Sequence, residues 1–158
     1  MPGRHLFIRT VIAFLVLPGI FALSLPLVIG YVDPWDTPFF PPGIIVVCIG
    51  IFCLLWCIRD FYVAGKGTLA PWNPPQDLVI VGLYRFVRNP MYVSVLLVVL
   101  GWGIFFLSPM LLLYDVILFF AFHISVVKFE EPRLRNRFGT SWEVYQKNVS
   151  RWLPKREG

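Results

Sequence analysis

Long apolar runs separated by short polar clusters set the pattern of this chain. Charged residues are nearly absent from four runs, at about residues 10–32, 43–58, 90–107 and 110–127. A helix needs roughly 20 mostly apolar residues to cross the hydrocarbon core of a bilayer. The pattern therefore predicts an all-α integral membrane bundle of about four transmembrane helices.

The third and fourth runs are predicted to form a hairpin. Only Asp115 is charged between Arg88 and Lys128, and Ser108 and Pro109 lie near the middle of this stretch. These two residues are predicted to mark the point at which the chain folds back. Because a hairpin returns the chain to its starting side, two charged groups should meet at one membrane face. These are Arg85 and Arg88 in one group, and Glu130 and Glu131 in the other.

Composition supports the membrane assignment. Hydrophobic residues make up 58% of the chain and charged residues 15%, whereas a soluble domain carries about 25% charged residues. Most of the 158 residues are needed inside the bilayer, so residues 1–158 are expected to form a single domain. The net charge of +5 comes from dispersed basic residues that flank apolar runs. This distribution indicates contact with membrane lipids and argues against nucleic-acid binding.

The basic residues also predict an orientation. Connections on one side of the bundle are short or acidic, whereas those on the other side are basic. The positive-inside rule places the basic side, and with it both termini, in the cytoplasm. We expect a bacterial inner membrane or an endoplasmic-reticulum-type membrane, with cytoplasmic segments at about residues 59–89 and 128–158. The first segment is rich in turn-forming residues, which is typical of a functional loop.

Polar and aromatic residues are interleaved at the start of the third run. Pro90 suits the first turn of a helix and leaves neighbouring amide donors free at the positive end of the helix dipole. That environment favours an anionic group such as a carboxylate or a phosphate. The residues concerned are Tyr84, Arg85, Arg88, Asn89, Pro90 and Tyr92.

Two adjacent glutamates, Glu130 and Glu131, follow the fourth run. On a helix they point about 100° apart, so they have either two functions or one function and one salt bridge. Pro132 is expected to loosen the helix that precedes it. The alternative interpretation is a stop-transfer cluster at the end of a span. His123, seven residues before Glu130, could share a helix face with it or form an interhelical hydrogen bond.

No metal site is expected. Cys48, Cys53 and Cys57 lie inside the second run without a Cys-x-x-Cys pair or a matching histidine cluster. They are interpreted as small packing residues.

Four motifs occur in order in the C-terminal half of the chain. They are the run from Gly82 to Tyr92, Glu130-Glu131-Pro132-Arg133-Leu134, Phe138-Gly139 with Tyr145, and Val149-x-Arg151-Trp152-Leu153-Pro154. Together with the apolar hairpin, they resemble the isoprenylcysteine carboxyl methyltransferase and phospholipid methyltransferase superfamily. The resemblance implies a membrane-embedded enzyme that binds S-adenosylmethionine without a Rossmann fold. The cofactor would lie at the cytoplasmic ends of the last two spans and in the C-terminal segment.

The resemblance also implies roles for individual residues. Catalytic roles fall on Arg88 and Glu131, while Arg85 and His123 are expected to contact the acceptor. The residues implied in cofactor binding are Tyr84, Arg88, Asn89, Pro90 and Tyr92 on one side, and Glu130 and Glu131 on the other.

The chain departs from the family pattern at Asn89, where histidine is usual, and at Ser94, where glycine is common. Asparagine forms hydrogen bonds but does not titrate near neutral pH. If the family histidine only binds the cofactor, activity can survive this change. If it moves protons, another group must do so here.

The leading hypothesis is methyl transfer from S-adenosylmethionine to a lipophilic acceptor at the cytoplasmic membrane face. A carboxyl acceptor of the isoprenylcysteine type is slightly favoured over a phospholipid amine or a thiol. Two hypotheses from other classes remain open. One is a small four-span transporter that uses Asp115, and the other is a non-catalytic membrane scaffold.

Overall fold

The computed structural model of the protein describes residues 20–33, 39–64 and 78–155. These ranges are helical and contain no β-strand. A π-helical turn at Ile20–Ser24 leads into the first α-helix, and a 3-10 helix spans Gly82–Arg85. The α-helices of the described ranges are α1 (Leu25–Val32), α2 (Pro42–Ala64), α3 (Pro90–Phe105), α4 (Pro109–Ser125), α5 (Glu131–Phe138) and α6 (Thr140–Asn148).

Two helical segments in the described part are long and apolar enough to cross a membrane, Pro42–Asp60 and Pro109–Phe138. Pro90–Phe105 is a shorter apolar helix between them. The protein is therefore an all-α membrane bundle, as predicted. Residues 10–19 of the first predicted span and residues 65–77 of the first predicted cytoplasmic segment lie outside the described ranges.

Helices α2 and α3 pack closely because small residues line their contact. A Cβ atom at Gly101 would lie 2.6 Å from the backbone nitrogen of Val47, and one at Gly50 would lie 2.7 Å from a methyl group of Val98. Small residues permit such close backbone approach between membrane helices. The core around this contact is formed by Ala22, Val47, Leu54, Val95, Val98, Val99 and Leu118.

The turn between α3 and α4 lies where the sequence predicted it. Ser108 caps α4, since its hydroxyl oxygen accepts a hydrogen bond from the Leu111 backbone N–H at 3.2 Å. The same hydroxyl donates to the carboxylate of Asp33, which follows α1. Pro109 occupies the first turn of α4. The hairpin is thus confirmed, and it returns the chain to the end at which α3 begins.

The chain continues from α4 into α5 through a π-helical turn, Val126–Glu130. In this turn the Glu131 N–H donates to the Val126 carbonyl, one residue further back than in an α-helix. Pro132 follows in the first turn of α5 and has no N–H to donate to the preceding turn. The predicted loosening of the helix before Pro132 is therefore confirmed.

Candidate active site at the polar ends of α3 and α4

A buried ion pair joins the two halves of the hairpin. Arg88, immediately before α3, donates from Nη1 to Oε1 of Glu131 at 2.9 Å. The side chains are only 9% and 13% exposed, respectively. The hairpin therefore brings together the arginine and the glutamate to which the resemblance gives catalytic roles.

A second arginine, Arg151, binds the same carboxylate. It donates from Nε to Oε1 of Glu131 at 2.7 Å and from Nη2 to Oε2 at 2.9 Å. This hydrogen bond raises the pKa of Arg151, whereas burial lowers the pKa of Arg88 and Glu131 opposes that effect. Sequence reasoning assigned Arg151 no role, although it belongs to the closing motif. That motif is the only signal by which it could have been found.

The buried guanidinium of Arg88 is not fully satisfied. Its Nε is buried and has no hydrogen-bond partner within the part of the chain that the structure describes. Its Cζ lies 5.6 Å from the centre of the Trp142 ring on α6, a cation–π contact. A buried donor without a partner is rare in proteins and indicates a place for an acceptor atom. Because the donor is cationic, an anionic acceptor would bind most strongly.

Glu130 lies in a different environment from Glu131. Its carboxylate accepts hydrogen bonds from the Tyr92 hydroxyl and, at 3.5 Å, from Ser125 Oγ. The Tyr92 ring packs on Phe122 with ring centres 4.4 Å apart. Glu130 forms no ion pair with any residue in the described ranges. Of the two adjacent glutamates, one is thus neutralised by arginines and the other is held by hydroxyl groups.

The C-terminal segment is fastened to the start of α3 by backbone and side-chain hydrogen bonds. Asn89 Nδ2 donates to the carbonyl of Arg151 at 3.3 Å, and the Tyr145 hydroxyl donates to the carbonyl of Tyr84 at 2.6 Å. Burial raises the pKa of both tyrosines, so they remain neutral at physiological pH. The Tyr84 ring packs with Cys57 and Val79 in a small apolar cluster, so its backbone rather than its ring supports the site.

Arg85 does not join Glu130 and Glu131, which corrects the expectation that both arginines meet both glutamates. Its side chain is exposed, and the structure gives it no hydrogen bond to either glutamate. The 3-10 helix Gly82–Arg85 buries the side chain of Tyr84 and leaves that of the next residue, Arg85, exposed.

Two further predicted residues, His123 and Pro90, accept hydrogen bonds in the structure. His123 Nδ1 accepts a hydrogen bond from Trp152 Nε1 at 3.1 Å, so its partner lies in the C-terminal segment and not on another helix as the alternative predicted. Pro90 begins α3, and its carbonyl accepts a bond from Ser94 Oγ at 2.7 Å. Among the described residues, no group of three or more His, Cys, Asp or Glu side chains is placed to hold a metal ion.

Comparison with known proteins gives a family for the chain. The family model described as phospholipid methyltransferase matches residues 40–141 of the 158-residue chain. The match includes α2, α3, α4 and α5, and with them Arg88, Glu130 and Glu131. No curated protein and no solved structure gives a significant match.

Proposed function

Because the chain belongs to the phospholipid methyltransferase family, we propose that it transfers a methyl group from S-adenosylmethionine to the amino headgroup of a membrane lipid. Membrane methyltransferase chemistry follows from the family, whereas the acceptor and the residue roles are our proposal. One observation carries the choice of acceptor. Glu131 forms ion pairs with both arginines of the site, whereas Glu130 beside it forms no ion pair among the described residues and is bonded by hydroxyl groups.

The side chains present fit the cofactor. S-adenosylmethionine has a carboxylate, an ammonium group and ribose hydroxyls, and when bound it supplies an electrophilic methyl group on a positively charged sulfur. Arg88 would hold the carboxylate, since its buried Nε needs an acceptor. Glu130 would lie beside the cofactor, with its second carboxylate oxygen left for the acceptor amine, because Tyr92 and Ser125 both bond to Oε1. Asn89 and Pro90 would shape the start of α3 beside it.

The amine of a lipid acceptor differs from a carboxyl acceptor in its protonation state at neutral pH. A lipid amine is protonated at neutral pH and must lose a proton before its nitrogen can attack a methyl group. Asn89 cannot accept that proton because an amide does not titrate. Glu130, oriented by Tyr92 and Ser125, is the carboxylate without an arginine ion pair that would accept it. In this proposal Glu130 stabilises the lipid ammonium on arrival and takes its proton before the nitrogen attacks. The new N–C bond would then form as the bond between the methyl carbon and the sulfur of the methyl donor breaks, which leaves the sulfur neutral.

A carboxyl acceptor is the second candidate, and it was slightly favoured from the sequence because Arg85 or Arg88 could orient an anion. The ion pairing of Arg88 with Glu131 weakens that argument. Exposed Arg85 is the cation left to support it. Both acceptors would reach the site from the bilayer, on the side that the positive-inside rule assigns to the cytoplasm.

The test uses purified protein in lipid nanodiscs with isotopically labelled methyl donor. We expect label on phosphatidylethanolamine, identified by mass, and loss of at least about 100-fold of the rate in Glu130→Gln, in the range typical of a removed general base. Glu143→Gln is the matched control, since Glu143 is an exposed glutamate on α6. Label on a small S-prenylated cysteine and not on the lipid would favour the carboxyl acceptor. Well-folded protein that binds no S-adenosylmethionine would favour the scaffold.

A further inference from the structure

The carboxylate of Glu131 is shared unequally between two arginines. Arg151 makes two hydrogen bonds to it, one to each oxygen, whereas Arg88 makes a single bond to Oε1. A guanidinium and a carboxylate prefer the two-bond arrangement when geometry allows it. Arg151 therefore holds the position on Glu131 that Arg88 would otherwise be able to take.

We propose that Arg151 is a positioning residue for ligand binding. By occupying both oxygens of Glu131, it limits Arg88 to one bond and keeps the remaining Arg88 donors, including the buried Nε, available for an anionic group of the ligand. This inference rests on the proposed function, because the anionic group it assigns to Arg88 is the carboxylate of S-adenosylmethionine. Without Arg151, Glu131 would capture Arg88 in a two-bond pair and weaken cofactor binding.

The C-terminal segment has anchors that do not depend on the Arg151 side chain. The backbone N–H of Arg88 donates to the Ser150 carbonyl at 2.8 Å, and Asn89 binds the backbone carbonyl of Arg151. Trp152 adds its hydrogen bond to His123. Replacing the Arg151 side chain alone should therefore leave the segment in place, which makes a positioning role separable from an anchoring role.

The experiment compares Arg151→Gln, Glu131→Gln and the double variant by calorimetric titration with S-adenosylmethionine. We expect Arg151→Gln to weaken binding by about tenfold or more, the effect of losing one charge-assisted hydrogen bond. The double variant should bind more tightly than Arg151→Gln, because removing the Glu131 charge releases Arg88. A double variant that binds no better than Arg151→Gln would overturn the proposal.

Hydrogen exchange and a surface control variant distinguish positioning from anchoring. Hydrogen exchange in the cofactor-free protein should show the Arg88 amide still protected in Arg151→Gln, and loss of that protection would instead make Arg151 an anchor. Arg135→Gln is the matched control, since Arg135 pairs with Glu143 at 3.9 Å on the exposed surface, and it should bind like the wild type. Failure of the wild type to bind S-adenosylmethionine would refute the proposed function. Wild-type binding with unchanged affinity in Arg151→Gln would refute only the positioning role.

Discussion

Removing the charge of Glu131 should destabilise the protein far more than removing that of a surface glutamate. In Glu131→Gln, Arg88 and Arg151 lose their shared anion in a site where their side chains are 9% and 28% exposed. Breaking a buried ion pair by deleting one partner costs about 3–5 kcal/mol. We expect a loss of about 3 kcal/mol, at the lower end, because water can reach Arg151 and replace part of its interaction.

The matched surface pair is Arg135 and Glu143, whose side chains are 61% and 54% exposed and 3.9 Å apart. Glu143→Gln should cost less than about 1 kcal/mol, as is usual for an exposed pair. Unfolding in mixed micelles with increasing denaturing detergent, followed by tryptophan fluorescence, gives both values under the same conditions. Equal losses for the two variants, or a loss below about 1 kcal/mol for Glu131→Gln, would show that the buried pair does not stabilise the hairpin.

Three smaller predictions test the framework of the site, the first two by the same unfolding assay and the third by crosslinking. Gly82→Ala should cost at least about 1 kcal/mol, because Gly82 has φ +54° and a Cβ there would collide with the carboxylate of Asp60; an unchanged midpoint would contradict this. Tyr145→Phe should lower the free energy of unfolding by about 1 kcal/mol, because the hydrogen bond to the Tyr84 carbonyl is lost. Wild-type stability in this variant would show that the hydrogen bond does not stabilise the protein. Gly101→Leu should separate α2 from α3, because a Cβ would lie 2.6 Å from a backbone nitrogen of α2; crosslinking of the two helices at wild-type yield would refute it.

The features that could be predicted from the sequence are those set by local chemistry or by the hairpin. The turn at Ser108 and Pro109 and the loosened helix before Pro132 follow from local preferences, although the π-helical form of that loosening was not predicted. Once the hairpin closes, Arg88 and Glu131 must reach the same membrane face. These expectations used only the order of apolar runs and the positions of a few turn-forming residues.

The features that could not be predicted depend on contacts between distant parts of the chain. Arg151 reaches Glu131 only because the C-terminal segment folds back on the start of α3. The hydrogen bonds that hold it there involve backbone groups, which many different sequences can supply. The outward direction of Arg85 depends on the short 3-10 helix, whose register leaves no periodic pattern in the sequence. The contact of Trp142 with Arg88 depends on how α6 packs.

The charge balance of the site explains why two adjacent glutamates differ in their partners. Arg88 and Arg151 contribute two positive charges, and Glu130 and Glu131 contribute two negative charges. Bound S-adenosylmethionine would add one net positive charge, so a protonated amine beside it would be repelled in a partly buried environment. A carboxylate committed to arginines, such as Glu131, cannot relieve that repulsion. In the proposed reaction Glu130 would relieve it by pairing with the ammonium and then taking its proton, which requires that no arginine form an ion pair with Glu130.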